Sequence, residues 1–468
     1  QTGTHYLWKL RSSHPSNPSG GIVYQKVTVT TGAIASLLDY RIPSSYVFRG
    51  VFDPADQLYG AVLDGTTDAY VGIQAALNAA TVRKGTVAFS GDAFISIELS
   101  VKSDTVVDLQ GHTVKAKSTT ASPRYRAFIV DTGVSFVTIK NGKIDGNARL
   151  DFGIESDTAE DLVFERLHIF NMNLANPSLG LGSGIITSRS IRVLVDACKF
   201  TGIGGDGVIG YKSSFMTVQN SYVQDARRHS YSFTDTIPNQ SDHCRLINST
   251  SINSVSSGVD LENCRRSVIS GNFFKGSGYG NGGVAPPISQ LSPATQKHGI
   301  SIWGASWQSI ITNNIIERSA DSGIIAMQST DAERNEVGSV IEPVGITISN
   351  NIITQATNQG IFLNAAQNQL NITQGWVVTG NTIKYTNVGI FVPYTTYGAT
   401  VTGNNVFNSV QGIWASVGAY ITITGNVVEE ISDRGYYLES VQFLTLTGNV
   451  ARLTSGNVAG SGLYVKNT

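Results

Sequence analysis

Charge is what this 468-residue chain has least of: Asp, Glu, Lys and Arg together make up 14 % of it, against roughly a quarter in an ordinary globular domain. The few charges nearly cancel, to a formal net charge of -1. That leaves no basic footprint for a nucleic-acid backbone, so no nucleic-acid partner is expected. Cysteine is scarce as well. Cys198, Cys244 and Cys264 form no CxxC pair, which argues against both a disulfide framework and a zinc site and makes each a small buried filler. No apolar run reaches the roughly 18 residues needed to span a bilayer, so membrane insertion is not expected. No charged, apolar and small-residue leader opens the chain; with Gln1 first, a longer precursor is expected. A glycine-rich phosphate cradle, a nucleophile elbow and an HExxH pair are all missing, and carboxylates do not cluster as a calcium site would need. No cofactor and no metal are expected.

What the chain has in quantity is glycine, 49 residues of it, placed at regular intervals. Gly153, Gly184, Gly207, Gly258, Gly299, Gly323, Gly360, Gly389, Gly412 and Gly462 each open a short alternating strand, and the shortest intervals cluster at about 23 residues. Between them an Asn followed by a short apolar pair recurs at Asn272, Asn314, Asn351, Asn381, Asn405, Asn426 and Asn449. Equal intervals of this length mark a solenoid, one repeat per coil, with two or three strands joined by tight corners. After each Gly the first and third residues are apolar while the second and fourth vary, the period of a strand with one face in and one out. Asn suits a fixed corner because it tolerates left-handed backbone angles and can bond the identical amide one layer away. Cys198 falls in line with Ser221 and Ser249 on neighbouring coils, as a small filler at a strand position.

Two segments do not follow the repeat. Residues 1–58, with a Pro/Ser/Asn/Gly stretch from Ser12 to Gly21, read as a neck or connector. From Tyr59 the pattern changes: Ile73, Ala76, Leu77 and Ala80 have helical spacing, and Asp68 can cap a helix over 68–80. Such a helix covers the open apolar end of the first coil. The expected fold is therefore all-β, a solenoid of short strands over 59–468 behind an N-terminal capping α-helix. The last strand, Gly462-Leu-Tyr-Val, still reads as a coil, so a further C-terminal domain is expected.

The run Asp64-Gly-Thr-Thr-Asp68 through Ile73-Gln-Ala-Ala-Leu-Asn78, then Gly85-Thr-Val and Leu109-Gln-Gly, resembles the opening of pectate-lyase-superfamily proteins. Downstream, Arg227-Arg-His-Ser-Tyr-Ser232 and Ser257-Gly-Val-Asp-Leu-Glu262 resemble an Arg-x-Gly-Ile-Ser and Gly-Ile-Asp-Ile-Glu pair of phage tailspike depolymerases, with His229-Ser230 standing where that family has a Gly. The resemblance spans roughly residues 59–468. It implies a right-handed single-stranded parallel β-helix, assembly as a homotrimer, a place outside the cell on a virion tail, and a bacterial surface polysaccharide as partner and substrate.

Aligning coils on the strand-opening Gly converts sequence into columns, since equivalent residues stack about 4.8 Å apart. Just before the Gly stand Asp206, His229, Ser257 and His298; one residue earlier, Gly205, Arg228, Ser256 and Lys297. Two residues after it stand Ile209, Ser232, Asp260 and Ser301; four after it, Tyr211, Thr234, Glu262 and Trp303. In a chain so poor in charge, this gathering on columns expected to face outward points to chemistry. Glycoside hydrolysis needs two carboxyls, and Asp206 and Glu262, two coils apart, suit inversion. In that scheme Glu262 is the acid, its pKa raised by Asp260 and by the cover of Trp303, while Asp206 prepares a water that His229 orients. The catalytic candidates are Asp206, Glu262, Asp260, His229 and Arg228; Tyr211, Lys212, Lys297, His298, Trp303 and Trp307 are candidates for holding substrate. β-Elimination from a uronate through Arg228, Lys212, His229 and Tyr211, and epimerisation at the same carbon, are alternatives. So is a non-cutting adhesin using Trp303, Trp307, Trp376, Trp414, Tyr394 and Tyr397 as stacking faces. Insertions at Gly276–Lys297, Gln328–Val344 and Asn364–Gly375 are expected to wall a groove.

Overall fold

The computed structural model describes residues 4–7, 25–28, 50–117, 125–173, 181–235, 241–279, 297–304, 306–327, 343–364, 375–393, 398–455 and 460–466. The chain divides into two units, Gln1–Arg49 and Gly50–Thr468. In the first, the strands Thr4–Leu7 and Gln25–Thr28 pair antiparallel. The second begins before Tyr59, inside the segment read as a neck, because Val51 and Phe52 already pair with Thr86 and Val87.

A typical coil of the second unit contributes one strand to each of three parallel stacks. In the coil that Gly207 opens, these are Val208–Tyr211, Thr217–Gln219 and Tyr222–Gln224. Among the described residues the first sheet has fourteen strands, from Leu99–Val101 to Ser461–Lys466. The second and third merge where Ser135–Asp145 and Glu160–Phe170 run unbroken through both. The expected alternation holds: Val208, Tyr231, Phe233, Val259, Leu261, Ile300 and Ile302 all lie in the apolar interior.

The helix α1 spans Tyr70–Arg83, two to three residues later than its spacing suggested, and buries Ile73, Ala76, Leu77 and Ala80. Asp68 is not its cap. Ala69 holds that position without a side-chain bond, while Asp68 ends a strand and accepts from the amides of Tyr70 and Ser96. Gln74 explains how the helix closes the stack: its amide exchanges both hydrogen bonds with the backbone of Ser100, at 2.9 and 3.0 Å. Ser100 sits in the terminal strand of the first sheet, so one side chain satisfies part of an edge that otherwise invites pairing.

At the corner between second and third strands a buried amide column runs Asn272, Asn314, Asn351, Asn381, Asn404, Asn426 and Asn449, each Nδ2 donating to the next Oδ1 at 2.9–3.0 Å. Each Oδ1 also accepts the backbone N–H one coil earlier. Two sequence expectations are corrected here. The ladder member is Asn404 rather than Asn405, which takes an outward strand position. The left-handed backbone belongs to the residue before the ladder, as at Asn313, Asn350, Gly380 and Gly403, so bend and hydrogen bond are divided between neighbours. Farther towards the N-terminus the column continues through Ser249, Ser221 and Cys198. Burial pushes the Cys198 thiol up to about 12.

The strand-opening glycines are required by space. A Cβ on Gly184 would lie 2.5 Å from the carbonyl oxygen of Gly207 and 2.4 Å from the Phe200 ring. Ser230 breaks the glycine column, and the structure shows what makes room: the facing position, Val223 and Phe274 on the neighbouring coils, is Ser251 here. The hydroxyls of Ser230 and Ser251 meet at 2.7 Å, and the Tyr231 hydroxyl fills the remaining depth by donating to the carbonyl of Ser221 or Thr250.

Two outcomes are expected. Asn351→Ala orphans the buried Asn314 amide and breaks the ladder, lowering unfolding stability by roughly 2–4 kcal/mol in urea denaturation. Ser251→Val overpacks Ser230 and costs about 1–3 kcal/mol, whereas Ser251→Ala costs less; equal losses would show that space is not the constraint.

Candidate functional site

The residues before the strand-opening Gly were expected to face solvent, and they do not. Asp206, His229, Ser257 and His298 are all at most 4 % exposed. Their side chains form a relay along the axis. Ser183 Oγ accepts from the Asp206 amide at 2.9 Å, Asp206 Oδ1 from the His229 amide at 2.7 Å, and His229 Nδ1 from the Ser257 amide at 3.3 Å. One turn on, His298 Nδ1 accepts from the Ser322 amide at 3.2 Å. Accepting through Nδ1 places the proton of each neutral imidazole on Nε2. Protonating either ring would remove the acceptor, and burial holds both below the ordinary histidine value, His298 at about 4.

The column two residues after the Gly is covered too, with Ser232 and Asp260 at 1 % and 3 %, since small groups between neighbours about 4.8 Å away have little access to water. The fourth column is open: Tyr211, Thr234 and Glu262 are half-buried. Its register is the one the sequence columns imply, Tyr211 beside Thr234, then Glu262, then Trp303.

These elements enclose an outward pocket of about 190 Å³ lined by Asp206, Arg228, Tyr211, Glu262, Ser232, Thr234, Ile209, Ile186 and Phe152. Arg228 Nη1 lies 3.2 Å from Asp206 Oδ2. Burial raises the Asp206 pKa, and the opposing pull of Arg228 and of the His229 amide does not cancel it. One pocket therefore holds a desolvated carboxyl and a second, partly solvated one, with a guanidinium and a phenol beside them. Phe152 and Ile186 were missed because the columns were read over four coils only; continued towards the N-terminus, they pass through both residues.

The other candidates fall elsewhere. The His229 ring is committed to Ser257, and it is the backbone of His229 that touches Asp206. Asp260 shares the strand of Glu262 but does not line the pocket. The Lys212 ammonium lies 5.2 Å from the Tyr211 ring centroid. Lys297 and His298 sit on the coil beyond Ser257, where the Lys297 carbonyl and the His298 ring both accept bonds from the next turn. Trp303 borders Glu262 one strand on and is 8 % exposed; Trp307 lies at a corner and accepts the Arg266 amide through its carbonyl. Trp376 is a core residue whose Nε1 donates to Pro343 O at 2.8 Å, so it offers no stacking face. Trp414 is packed between Phe391 and Tyr437, with ring centroids 4.4 and 5.0 Å away. Tyr394, Tyr397 and most of the three insertions lie outside the described residues.

Comparison with known proteins bears on the architecture. The family described as right handed beta helix region matches residues 298–468. A search of curated sequences finds no match. Among solved structures, PfbA, a surface adhesin of Streptococcus pneumoniae, is similar at 18% identity and TM-score 0.59, over 80% of this chain and 92% of that one. The family 28 exopolygalacturonase of Yersinia enterocolitica is similar at 11% identity and TM-score 0.53, over 92% and 82%. Tailspike protein 3 of bacteriophage CBA120 is similar at 12% identity and TM-score 0.52, over 96% and 65%. The chain is a right-handed parallel β-helix protein, of the architecture shared by phage tailspikes and pectin-degrading enzymes.

Proposed function

We propose that this protein binds and cleaves an extracellular polysaccharide at the pocket of Asp206, Arg228, Tyr211 and Glu262. The observation that carries the reading is the pair of carboxyls in unlike environments facing one cavity, since acid and base roles follow from pKa values pushed apart. Burial raises the Asp206 pKa, so in this reading Asp206 is the proton donor and Glu262 activates water, the reverse of the roles read from sequence. Two coils separate their columns, and the two positions also differ by five residues along the coil. The axial rise of about 9.6 Å is only a floor on the backbone separation, with roughly 16 Å more along the coil at about 3.3 Å per residue, which is too far for direct attack by one carboxylate and leaves a water-mediated, inverting reaction as the hydrolytic form. Elimination is the second reading, supported by Arg228 and Tyr211 in the same pocket, a cation for a uronate carboxylate and a phenol for the adjacent proton. A bacterial capsule or O-antigen as substrate, a homotrimeric state and a position on a virion tail accord with the tailspike resemblance and belong to the same proposal.

Incubation with capsular polysaccharide or lipopolysaccharide is expected to shorten the polymer and release new reducing ends without the ultraviolet signal of an unsaturated uronate. Asp206→Asn, which keeps the acceptor for His229, and Glu262→Gln should each lower the rate by about 100-fold or more at unchanged melting temperature. Full activity in both variants would remove the assignment. Binding without any change in chain length would leave an adhesin.

Acid acts on the fold separately. The native protein keeps His298 neutral down to about pH 4, whereas the unfolded chain takes up a proton near 6.5, so stability is intact above that value and declines below it, by about 1.4 kcal/mol per pH unit for each such histidine. Melting temperature is expected to fall between pH 6.5 and 4, and His298→Asn to flatten the slope. An unaltered slope would contradict a neutral, buried His298.

A further inference from the structure

The third sheet carries a second groove, separate from the pocket of Asp206 and Glu262. On three successive coils the same outward register position is held by Lys143, His168 and Lys199. With Arg166, Asn141 and Gly142 among the other lining residues they surround an open cavity of about 410 Å³, and among the described residues no carboxylate lines it. The carboxylates on neighbouring positions are already paired, one of them with the lining Arg166. Glu165 pairs with Arg166 at 2.6 Å. Asp145 accepts from the Asn147 amide and from Asn171 Nδ2 at 2.8 and 2.9 Å and lies 3.9 Å from Lys115. Arg166 is held in place by donating to Asn141 Oδ1 at 2.6 Å. Lys199 reaches over the ring of Tyr222 at 5.9 Å, and His168 packs on Phe170 at 4.8 Å with Nε2 2.9 Å from Thr201 Oγ1.

Like charges directly opposite on adjacent strands destabilise a sheet. Here Lys143 and Lys199 flank the imidazole of His168 in one file, with about 4.8 Å between neighbours, in a chain whose charged residues are few. Burial and the two lysines lower the pKa of His168, so an arriving anion would draw a proton onto it. We propose that this groove binds the carboxylate or sulfate groups of an acidic saccharide segment running along the coil axis. The inference rests on the reading of the ligand as a polysaccharide, but it does not require cleavage. Two lysines flanking one imidazole, on a chain of net charge -1, are too small a footprint for a nucleic-acid backbone, while their placement along one axis suits an extended chain bearing anions at intervals.

Calorimetric titration at low ionic strength with an oligouronate, a neutral oligosaccharide of equal length and inorganic sulfate tests this. The oligouronate is expected to bind saturably, at least tenfold more tightly than sulfate, and to shift the His168 ring resonances; the neutral oligosaccharide should leave that ring unmoved. Lys143→Gln with Lys199→Gln should weaken the oligouronate about tenfold or more at unchanged melting temperature, and Asp206→Asn should leave the His168 shift intact. That last arm separates the two sites: loss of cleavage with the shift retained concerns the pocket alone. Oligouronate affinity unaffected by the lysine substitutions, or sulfate bound as tightly as oligouronate, would overturn the proposal.

Discussion

The structure depends on one recurring bond: a buried side-chain acceptor on one coil taking a backbone N–H from its neighbour. Within the sheets the strands satisfy one another, but at the corners the chain turns too sharply for that ladder to continue, and an unmet buried amide costs about as much as several good contacts supply. The Asn column from Asn272 to Asn449 meets this need at one corner, and the relay through Ser183, Asp206, His229 and His298 meets it on the edge of the first sheet.

The candidate site grows out of that relay. Asp206 is held because its Oδ1 serves the His229 amide; the same placement desolvates its carboxyl and leaves Oδ2 towards Arg228. A structural acceptor is thereby left with a shifted proton affinity on the wall of a pocket. His229 and His298 make the same bond on coils one and three beyond Asp206 without lining that pocket, so membership in the relay does not by itself make a residue reactive. The fold sets no single chemistry either: an adhesin, an exopolygalacturonase and a tailspike all share this architecture with the chain, and reaction type rests on what lines the groove.

Legibility follows the same division. The glycine positions revealed the coil length, the columns and the register of Tyr211, Thr234, Glu262 and Trp303, because a Cβ at Gly184 or Gly207 would strike the next coil and spacing therefore cannot drift. Ser230 could be located as an exception but not explained, since its partner Ser251 lies 21 residues away on the facing sheet. Asn405 reads as the ladder member in sequence because it directly precedes the apolar pair Val406-Phe407, whereas the ladder's hydrogen bonds and burial single out Asn404.

The sequence by itself determined the winding, the capping helix and which residues share a column, all of which depend on the equal interval between close-packed glycines. Tertiary structure alone decided which columns reach water. The second column after the glycine alternates outward yet is closed over by its neighbours, while Asp206 and Glu262, in columns five positions apart, line one cavity. Exposure and convergence depend on the size and direction of side chains on adjoining coils, and a linear period carries neither.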